Sequence, residues 1–293
     1  MPSPPDPNPI LQPSRRIVST GRTAINEPEV SKESALPRAL LWDVDGTIAE
    51  TELEVHRPAF NWAFADAGLP WRWDRPTYLR LLAVGGGRER LAAYLEEVEG
   101  VAPSPRRLDA LQRAKQGHYA TLVAAGALRP RPGVERLMAE ASAAGIPQAV
   151  VTTSSRSAVE ALARHGMPSL GRLVALWICG EDVVRQKPDP EAYQLALSRL
   201  TTQLPDRQGD PRARVLAIED STNGLQAAHA AGIGCLITLS QPSFQEPRQG
   251  MGQALAICDG LGDDQHPTAV VQGPACPGGL VTLSWLGQLL ERR

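Results

Sequence analysis

The sequence predicts an α/β protein: a doubly wound parallel sheet with helices on its faces and a small all-helical cap inserted after the first strand. From about residue 131 onward, short apolar runs alternate with stretches of helical periodicity, which is typical of βαβ units. Between the first apolar run and residue 131, only helical patterns occur. The chain has 293 residues, which is long enough for both parts and for a sizeable core.

The first 37 residues differ in composition from the rest of the chain. They are rich in proline and serine and show no periodicity, so they cannot bury enough surface to offset the entropy of ordering. We therefore predict a disordered tail over residues 1–37. It lacks the apolar run of a secretory signal peptide, but its first 25 residues hold Arg15, Arg16 and Arg22 against the single acid Asp6, which would suit a plastid transit peptide. We expect a cytoplasmic location, or the plastid stroma if the tail is such a peptide.

The order of the elements places a Rossmann-like core in residues 38–53 and 131–293 and the helical cap in residues 54–130. The first strand is the apolar run Ala39–Trp42. In the cap, apolar residues repeat at helical spacing from Phe60 to Ala67. The later strands are expected at 149–151, 175–178, 215–218, 235–238 and 254–257, with helices at 134–144, 158–165, 190–200, 222–231 and 283–290.

The charge balance limits the partners of the chain. Lys plus Arg number 30 and Asp plus Glu 32, for a formal net charge of −2. This balance argues against nucleic-acid binding, which usually requires a strongly basic domain. No apolar run approaches the roughly 18 residues needed to span a bilayer. We expect a monomer whose partner is a small molecule, with neither a nucleic acid nor a membrane involved.

Polar residues follow four of the predicted strands. Because ligands of open parallel sheets bind outside the carboxyl ends of the strands, these residues are the candidates for a site. They are Asp43 and Asp45, Thr152 and Thr153, Lys187, and the pair Glu219 and Asp220.

The chemistry of these residues indicates a phosphate site with a metal. Asp43 and Asp45 lie two apart on an extended segment and point to the same side, where they repel each other unless a cation or a shared proton compensates. Asp220, with or without Glu219, would complete the oxygen-rich site that Mg²⁺ prefers. Lys187 offers a point charge to phosphate oxygens. The hydroxyl and N–H groups at Thr152 and Thr153 can bind phosphate at a strand-to-helix junction.

The four motifs occur in the order that is typical of one enzyme family. They are Asp43-Val44-Asp45-Gly46-Thr47, Thr152, Lys187-Pro188 and Glu219-Asp220. This order resembles that of the haloacid dehalogenase-like (HAD) hydrolases, and the resemblance extends from about Arg38 to the C-terminus.

That resemblance implies a role for each motif. Asp43 would be the nucleophile, and Asp45 the general acid and base that also gives its carbonyl oxygen to Mg²⁺. Thr152 and Lys187 would hold the phosphoryl group. The implied magnesium ligands are Asp43, Asp45, Glu219 and Asp220.

Two runs in the predicted cap resemble the CbbY subgroup of that family, namely residues 49–61 (AETELEVHRPAFN) and 81–90 (LLAVGGGRER). This resemblance implies removal of one phosphate from xylulose 1,5-bisphosphate, a sugar that inhibits Rubisco, and so a role beside the Calvin cycle. The subgroup commonly has a lysine where this chain has Arg88, which also binds phosphate, and in a bidentate way. Substrate contacts are expected from Glu50, His56, Gly87, Arg88 and Arg90.

The sequence therefore predicts a Mg²⁺-dependent phosphatase that acts on a small sugar phosphate through an aspartyl-phosphate. Three alternatives stay open. A phosphosugar mutase of the β-phosphoglucomutase type would return the phosphoryl group to a sugar, and a generalist sugar-phosphate phosphatase would share the same site. A non-catalytic phosphate-binding regulatory protein would be favoured by a missing nucleophile, acid or lysine, and none of these is missing from the sequence.

Overall fold

The computed structural model describes residues 36–200, 210 and 212–292. Residues 1–35 of the predicted tail lie outside this part, so their disorder stays a prediction. Within the described part, the strands form one sheet in the order β3-β2-β1-β4-β5-β6-β7. The strands are β1 Ala39–Trp42, β2 Gln148–Val151, β3 Leu176–Ile178, β4 Val215–Glu219, β5 Gly234–Thr238, β6 Ala256–Cys258 and β7 Val270–Gln272.

The helices of the described residues divide into a group between β1 and β2 and a group that alternates with the strands. The first group is α1 Arg57–Asp66, α2 Arg75–Leu81, α3 Gly87–Glu99 and α4 Pro105–Ala124, with α5 Val134–Ala143 leading into β2. The second group is α6 Arg156–Ala161, α7 Leu170–Leu173, α8 Glu191–Leu200, α9 Thr222–Ala230 and α10 Leu283–Glu291. A π-helical turn, Glu52–His56, precedes α1.

The predicted fold class is confirmed, although several elements differ from the predicted ones in detail. Strand β7 was not predicted, because it is a short and largely exposed edge strand without an alternating pattern. It pairs antiparallel with β6, so the sheet is parallel only from β3 to β6. The helix expected at 158–165 is instead α6 followed by a π-helical turn over Leu162–Gly166.

Strand β1 lies in the middle of the sheet, and its side chains enter apolar layers on both faces. Leu40 and Trp42 belong to one buried cluster, whereas Ala39 and Leu41 belong to the other. Alternate residues of a strand point to opposite faces, which explains why a strand covered on both sides reads as an uninterrupted apolar run. The order of the strands thus places the residue that follows β1 at the centre of the carboxyl edge of the sheet.

The helices between β1 and β2 have an apolar cluster of their own. Phe60, Phe64 and Trp73 are buried there, with the Phe64 and Trp73 ring centroids 5.1 Å apart. The chain enters and leaves this helical segment at adjacent points, because Ala49 and Pro130 form an antiparallel bridge. The division into a core and a cap at residues 54 and 130 stays a prediction. No helix in the part of the chain that the structure describes is long and apolar enough to cross a membrane.

Gly117 lies inside α4 with an exposed position and a helical backbone, and a Cβ there would meet no other atom within 4 Å. We expect Gly117→Ala to raise the free energy of unfolding by about 0.5–1 kcal/mol, because alanine loses less backbone entropy on folding. Urea unfolding followed by circular dichroism measures this change. The reverse substitution at the exposed Ala120 of the same helix should lower stability by a similar amount, and a Gly117→Ala variant less stable than the parent would contradict the expectation.

Candidate active site

Three neighbouring strands bring the predicted motif residues to one edge of the sheet. Asp43 follows β1, and its backbone N–H donates to the carbonyl of Ile218 in β4 at 3.0 Å. Thr152 follows β2, and Glu219 is the last residue of β4, with Asp220 next. The parallel register of these strands is what gathers residues so far apart in sequence.

Lys187 is the residue that joins these strand ends. Its Nζ donates to Asp43 Oδ1 at 2.8 Å, to Glu219 Oε1 at 2.6 Å and to the carbonyl of Val151 at 2.7 Å. The side chain is buried. Burial alone would lower the pKa of Lys187, but the two carboxylates outweigh it and raise that pKa above its ordinary value. The lysine is therefore a fixed positive charge at the centre of the site.

The carboxylates around this lysine carry more negative charge than it can balance. One oxygen from each of Asp43, Glu219 and Asp220 lies within 4.8 Å of the others. Burial, followed by repulsion from Glu219, raises the pKa of Asp43 to about 8. Burial and the charge of Asp43 raise the pKa of Asp220 well above its ordinary value. These carboxylates would regain their charged form beside a divalent cation, so the donor set fits Mg²⁺.

Local backbone geometry keeps this carboxylate cluster open. Gly46 has φ +91°, a conformation that suits glycine. A Cβ at Gly46 would lie 2.1 Å from Asp220 Oδ2, so any side chain there would displace that carboxylate. On the other side, Ser240 Oγ donates to the same oxygen at 2.5 Å and holds it in place.

Asp45 is held apart from this cluster by a different set of donors. Its carboxylate accepts from Thr51 Oγ1 and from Ser154 Oγ, each at 2.5 Å, and lies 2.8 Å from His56 Nε2. Burial alone would raise the pKa of Asp45, but His56 and the two hydroxyls together hold it below the ordinary range. A metal contact from Asp45 would therefore come from its backbone carbonyl, as the family resemblance implies.

His56, predicted to contact substrate, is buried behind Asp45. Its Nδ1 lies 2.7 Å from Lys115 Nζ, and its ring stacks on Tyr119 with centroids 4.6 Å apart. Burial lowers the pKa of Lys115 to about 8. The imidazole is thus fixed between a carboxylate and an amine, and in this arrangement its nitrogens are directed at protein groups.

The other predicted substrate residues occupy different surroundings. Glu50 lies 3.4 Å from Arg131 Nε and accepts from the backbone N–H of Gln241, where the chain enters the helical segment. Arg88 pairs with Asp109 at 2.9 Å, and its side chain is 43% exposed.

Arg90 is buried, in contrast to Arg88. Its Nη1 donates to Tyr78 Oη at 2.9 Å and lies 3.4 Å from Glu52. Contacts with Tyr78 and Glu52 therefore fix the guanidinium group of Arg90 in place, whereas Arg88 is more exposed.

Two cavities open from the site, of about 490 Å³ and 520 Å³. Asp45, Glu52, Arg90 and Thr153 line both, so the cavities meet beside the predicted acid. The first, which we call the lysine cavity, also contains Asp43, Lys187 and Asp220. The second, which we call the α4 cavity, also contains Gly87, Arg88, Lys115 and Ser154. Glu50 does not line either of them.

Sequence reasoning missed several residues of this site. Ser154 directly follows Thr152 and Thr153 after β2, so its place in a strand-end motif was a usable signal. Tyr193 gave no such signal, because the apolar pattern of α8 accounts for it. Lys115 lies on the buried face of α4 with Leu111 and Tyr119, so a lysine at that spacing was also a usable signal. Tyr193 Oη donates to Glu219 Oε1 at 2.6 Å and supports the carboxylate that Lys187 also binds.

Comparison with known proteins identifies the family. The family model for haloacid dehalogenase-like hydrolases matches residues 37–232. The chain belongs to this family. It is 43% identical over 237 residues to a protein CbbY of Cupriavidus necator, covering 78% of this chain and 88% of that protein. It is also 29% identical over 196 residues to a phosphorylated carbohydrates phosphatase of Thermotoga maritima, covering 67% and 82%.

Solved structures agree with this family assignment. A variant of CbbY from Rhodobacter sphaeroides, crystallised with xylulose-(1,5)bisphosphate, superposes with a TM-score of 0.68 at 38% sequence identity. The match covers 77% of this chain and 95% of that one. The predicted membership of the HAD-like hydrolases and the resemblance to CbbY are both confirmed.

The hydroxyl of Tyr193 is a buried donor to a charged group. We expect Tyr193→Phe to lower the free energy of unfolding by about 1.5–3 kcal/mol, because a buried hydrogen bond to a carboxylate is lost. Denaturant unfolding measures the change. Tyr119→Phe is the matched control, since among the described residues its hydroxyl has no hydrogen-bond partner, and it should alter stability by less than about 0.5 kcal/mol. Equal effects of the two substitutions would show that the bond to Glu219 contributes nothing.

Proposed function

We propose that this enzyme is a Mg²⁺-dependent phosphatase that removes one phosphate from xylulose 1,5-bisphosphate. The observation that carries the proposal is the contact of Asp43 with Lys187 at 2.8 Å, beside Asp45, where two cavities meet. This is a carboxylate nucleophile, a cation for the phosphoryl oxygens and a separate acid within one site. The family and the relative named as a phosphorylated carbohydrates phosphatase support the same reaction class.

The metal would be held by Asp43, Glu219 and Asp220, whose oxygens already lie within 4.8 Å of one another, together with the carbonyl of Asp45. When bound, it supplies positive charge that lowers the repulsion between the nucleophile and an anionic phosphate. Lys187 contributes a second positive charge next to Asp43. Its hydrogen bond to Asp43 Oδ1 also orients the carboxylate.

In the first step, Asp43 attacks phosphorus, a new O–P bond forms and the bond from phosphorus to the sugar oxygen breaks. Asp45 gives a proton to the leaving sugar oxygen. In the second step, Asp45 takes a proton from water as that water attacks phosphorus, which releases inorganic phosphate and restores Asp43. Thr152 and Thr153 lie at the end of β2, where their polar groups would bind the phosphoryl oxygens.

The environment of Asp45 imposes a condition on this sequence of steps. Three donors, Thr51, Ser154 and His56, stabilise its ionised form, whereas the first step needs the protonated form. The proposal therefore requires substrate binding to separate Asp45 from one or more of these donors, which raises its pKa. Closure of the helical segment over the substrate is the kind of movement that would do so.

The xylulose 1,5-bisphosphate assignment concerns the part of the substrate that does not react. The α4 cavity contains the guanidinium groups of Arg88 and Arg90, and these are suited to a second phosphate. Support for this substrate comes from the CbbY structure with xylulose-(1,5)bisphosphate. Removal of an inhibitor of Rubisco would place the enzyme beside the Calvin cycle.

The nucleophile is tested by Asp43→Asn. We expect this variant to lose phosphate release from xylulose 1,5-bisphosphate, because an amide is a very poor nucleophile. It should keep or raise the melting temperature of the metal-free enzyme, because one of the crowded acids is removed. Phosphate release from a panel of pentulose and hexose mono- and bisphosphates, with product sugars analysed for isomers, measures activity. Near-normal turnover would exclude Asp43, and an isomeric sugar phosphate in place of free phosphate would favour a mutase.

Metal binding should depend on pH, because Mg²⁺ must displace the protons that Asp43 and Asp220 retain. In the metal-free enzyme, the raised carboxyl pKa values mean that stability falls as pH rises from about 4 toward 8, since the folded state binds more protons. We therefore expect Mg²⁺ to raise the melting temperature more at about pH 8.5 than at about pH 6.5. Thermal melts with and without Mg²⁺ measure this.

Asp220→Asn is the control for this experiment and should lose most of the shift. A larger stabilisation by Mg²⁺ at the lower pH would contradict a site built from these carboxylates.

A further inference from the structure

Some residues that line the α4 cavity carry polar atoms without a hydrogen-bond partner in the part of the chain that the structure describes. Gln112 and Gln116 lie one helical turn apart on α4, and both line this cavity. Their Oε1 atoms are buried, and neither atom has a hydrogen-bond partner among the described residues. Arg90 Nε, in the wall between the two cavities, is likewise buried without a partner. The residues that line the cavity thus carry one donor and two acceptors that are buried and unpaired among the described residues, and a small rotation of a side-chain amide would bring its oxygen to a ligand.

Buried polar atoms without a hydrogen bond lower the stability of the fold, because they give up their bonds to water on folding. A ligand or a water molecule that forms the missing hydrogen bond removes this cost. The chemistry of the unpaired atoms also restricts the ligand. The oxygens of an ionised phosphate accept hydrogen bonds but donate none. A phosphate can therefore bind Arg90 Nε, which is a donor, but not the two glutamine oxygens, which are acceptors. The glutamine oxygens require hydrogen-bond donors, and the donors of a phosphorylated sugar are its hydroxyl groups.

The position of the glutamines agrees with this reading. Lys115, on the same helix, reaches His56 and through it Asp45, which places this wall of the cavity beside the predicted acid. Gln112 lies on the other side near the glycine turn, since a Cβ on Gly87 would be 3.8 Å from Gln112 Nε2. Gln112 is thus near the arginine that follows Gly87, and Lys115, next to Gln116 in sequence, is near Asp45. The carbon chain of a bisphosphate that reached from Asp45 to Arg88 would pass this wall of the cavity.

We propose that Gln112 and Gln116 are specificity-determining residues that accept hydrogen bonds from the hydroxyl groups of the sugar bisphosphate. This inference rests on the proposed function and names how its substrate class is selected. Xylulose 1,5-bisphosphate carries hydroxyl groups on C3 and C4, which matches the pair of unpaired acceptors. A site whose polar groups are paired only by these hydroxyls discriminates against phosphates that lack them.

The competing explanation is that the glutamines merely pack α4 against its neighbours, with water in the cavity. The two explanations differ in what removal of the amide does. Methionine has nearly the length and shape of glutamine but cannot accept these bonds. Under the proposal, Gln112→Met and Gln116→Met remove an unsatisfied group from the free enzyme, so neither variant should melt below the parent, whereas both should turn over the sugar bisphosphate more slowly.

The experiment compares two substrates that differ only in the middle. One is xylulose 1,5-bisphosphate, and the other is pentane-1,5-diol bisphosphate, which has the same two phosphates and chain length without hydroxyl or keto groups. We expect each variant to lose on the order of tenfold in kcat/KM for the sugar bisphosphate, which is the size of one hydrogen bond. The diol bisphosphate should change by less than about twofold. Gln288→Met, at an exposed position on α10, is the matched control and should change neither value.

Equal losses on both substrates, or a lower melting temperature with no change in the ratio of the two kcat/KM values, would overturn the proposal. So would an unchanged ratio at full stability, which is the result expected if only water fills the cavity. Failure of the proposed function is a separate outcome, seen when the parent enzyme releases no phosphate from xylulose 1,5-bisphosphate. In that case the glutamine variants are assayed on the best sugar phosphate of the panel and on its counterpart without hydroxyl groups. The ratio of the two kcat/KM values again shows whether the glutamines recognise the hydroxyl groups.

Discussion

The arrangement of the site depends on one buried cation, the ammonium group of Lys187. It binds the residue after β1, the last residue of β4 and the last carbonyl of β2, so a single side chain links three adjacent strand ends. Removing the lysine would be costly, on the order of 3–5 kcal/mol, because Asp43 and Glu219 would stay buried without its compensating charge. The carboxylate nucleophile is consequently oriented before any ligand arrives, and the sheet itself sets its position.

The two aspartates of the first motif illustrate how environment separates chemical roles. Asp43 and Asp45 are two residues apart, yet burial among other acids raises the pKa of Asp43, whereas His56 and two hydroxyls hold that of Asp45 below its ordinary range. Titratable pairs whose surroundings drive their pKa values apart are typical of sites that divide nucleophilic and acid–base work. Here the division follows from what each carboxylate contacts: Asp45 bonds to Thr51 and His56 at the start of the helical segment, whereas Asp43 bonds to Lys187 at the edge of the sheet.

The sheet and the motif residues at its edge were predictable because a short stretch of sequence identifies each strand and the residues at its end. An apolar run such as Ala39–Trp42 followed by acids identifies a buried strand and what lies at its end, and parallel strands bring such ends together. The surroundings of His56 were not predictable, since its partners Asp45 and Lys115 are fixed by how α4 packs, and periodicity reports only that α4 is a helix. Strand β7 was not predicted for a related reason: an exposed edge strand has no face in the core, so its sequence shows no alternation of apolar and polar residues.

The bridge between Ala49 and Pro130 has a consequence for how this kind of enzyme can diversify. The chain leaves the sheet and returns to it at neighbouring points. The intervening helices are therefore an insertion whose two ends are held together by the core. Replacement of that insertion by a different one would leave Asp43, Lys187 and Asp220 at the positions that the strands set. Glutamines and arginines of the α4 cavity, in contrast, would be replaced together. The reaction and the choice of substrate can therefore evolve on separate stretches of one polypeptide, with Ala49 and Pro130 as the natural points of exchange.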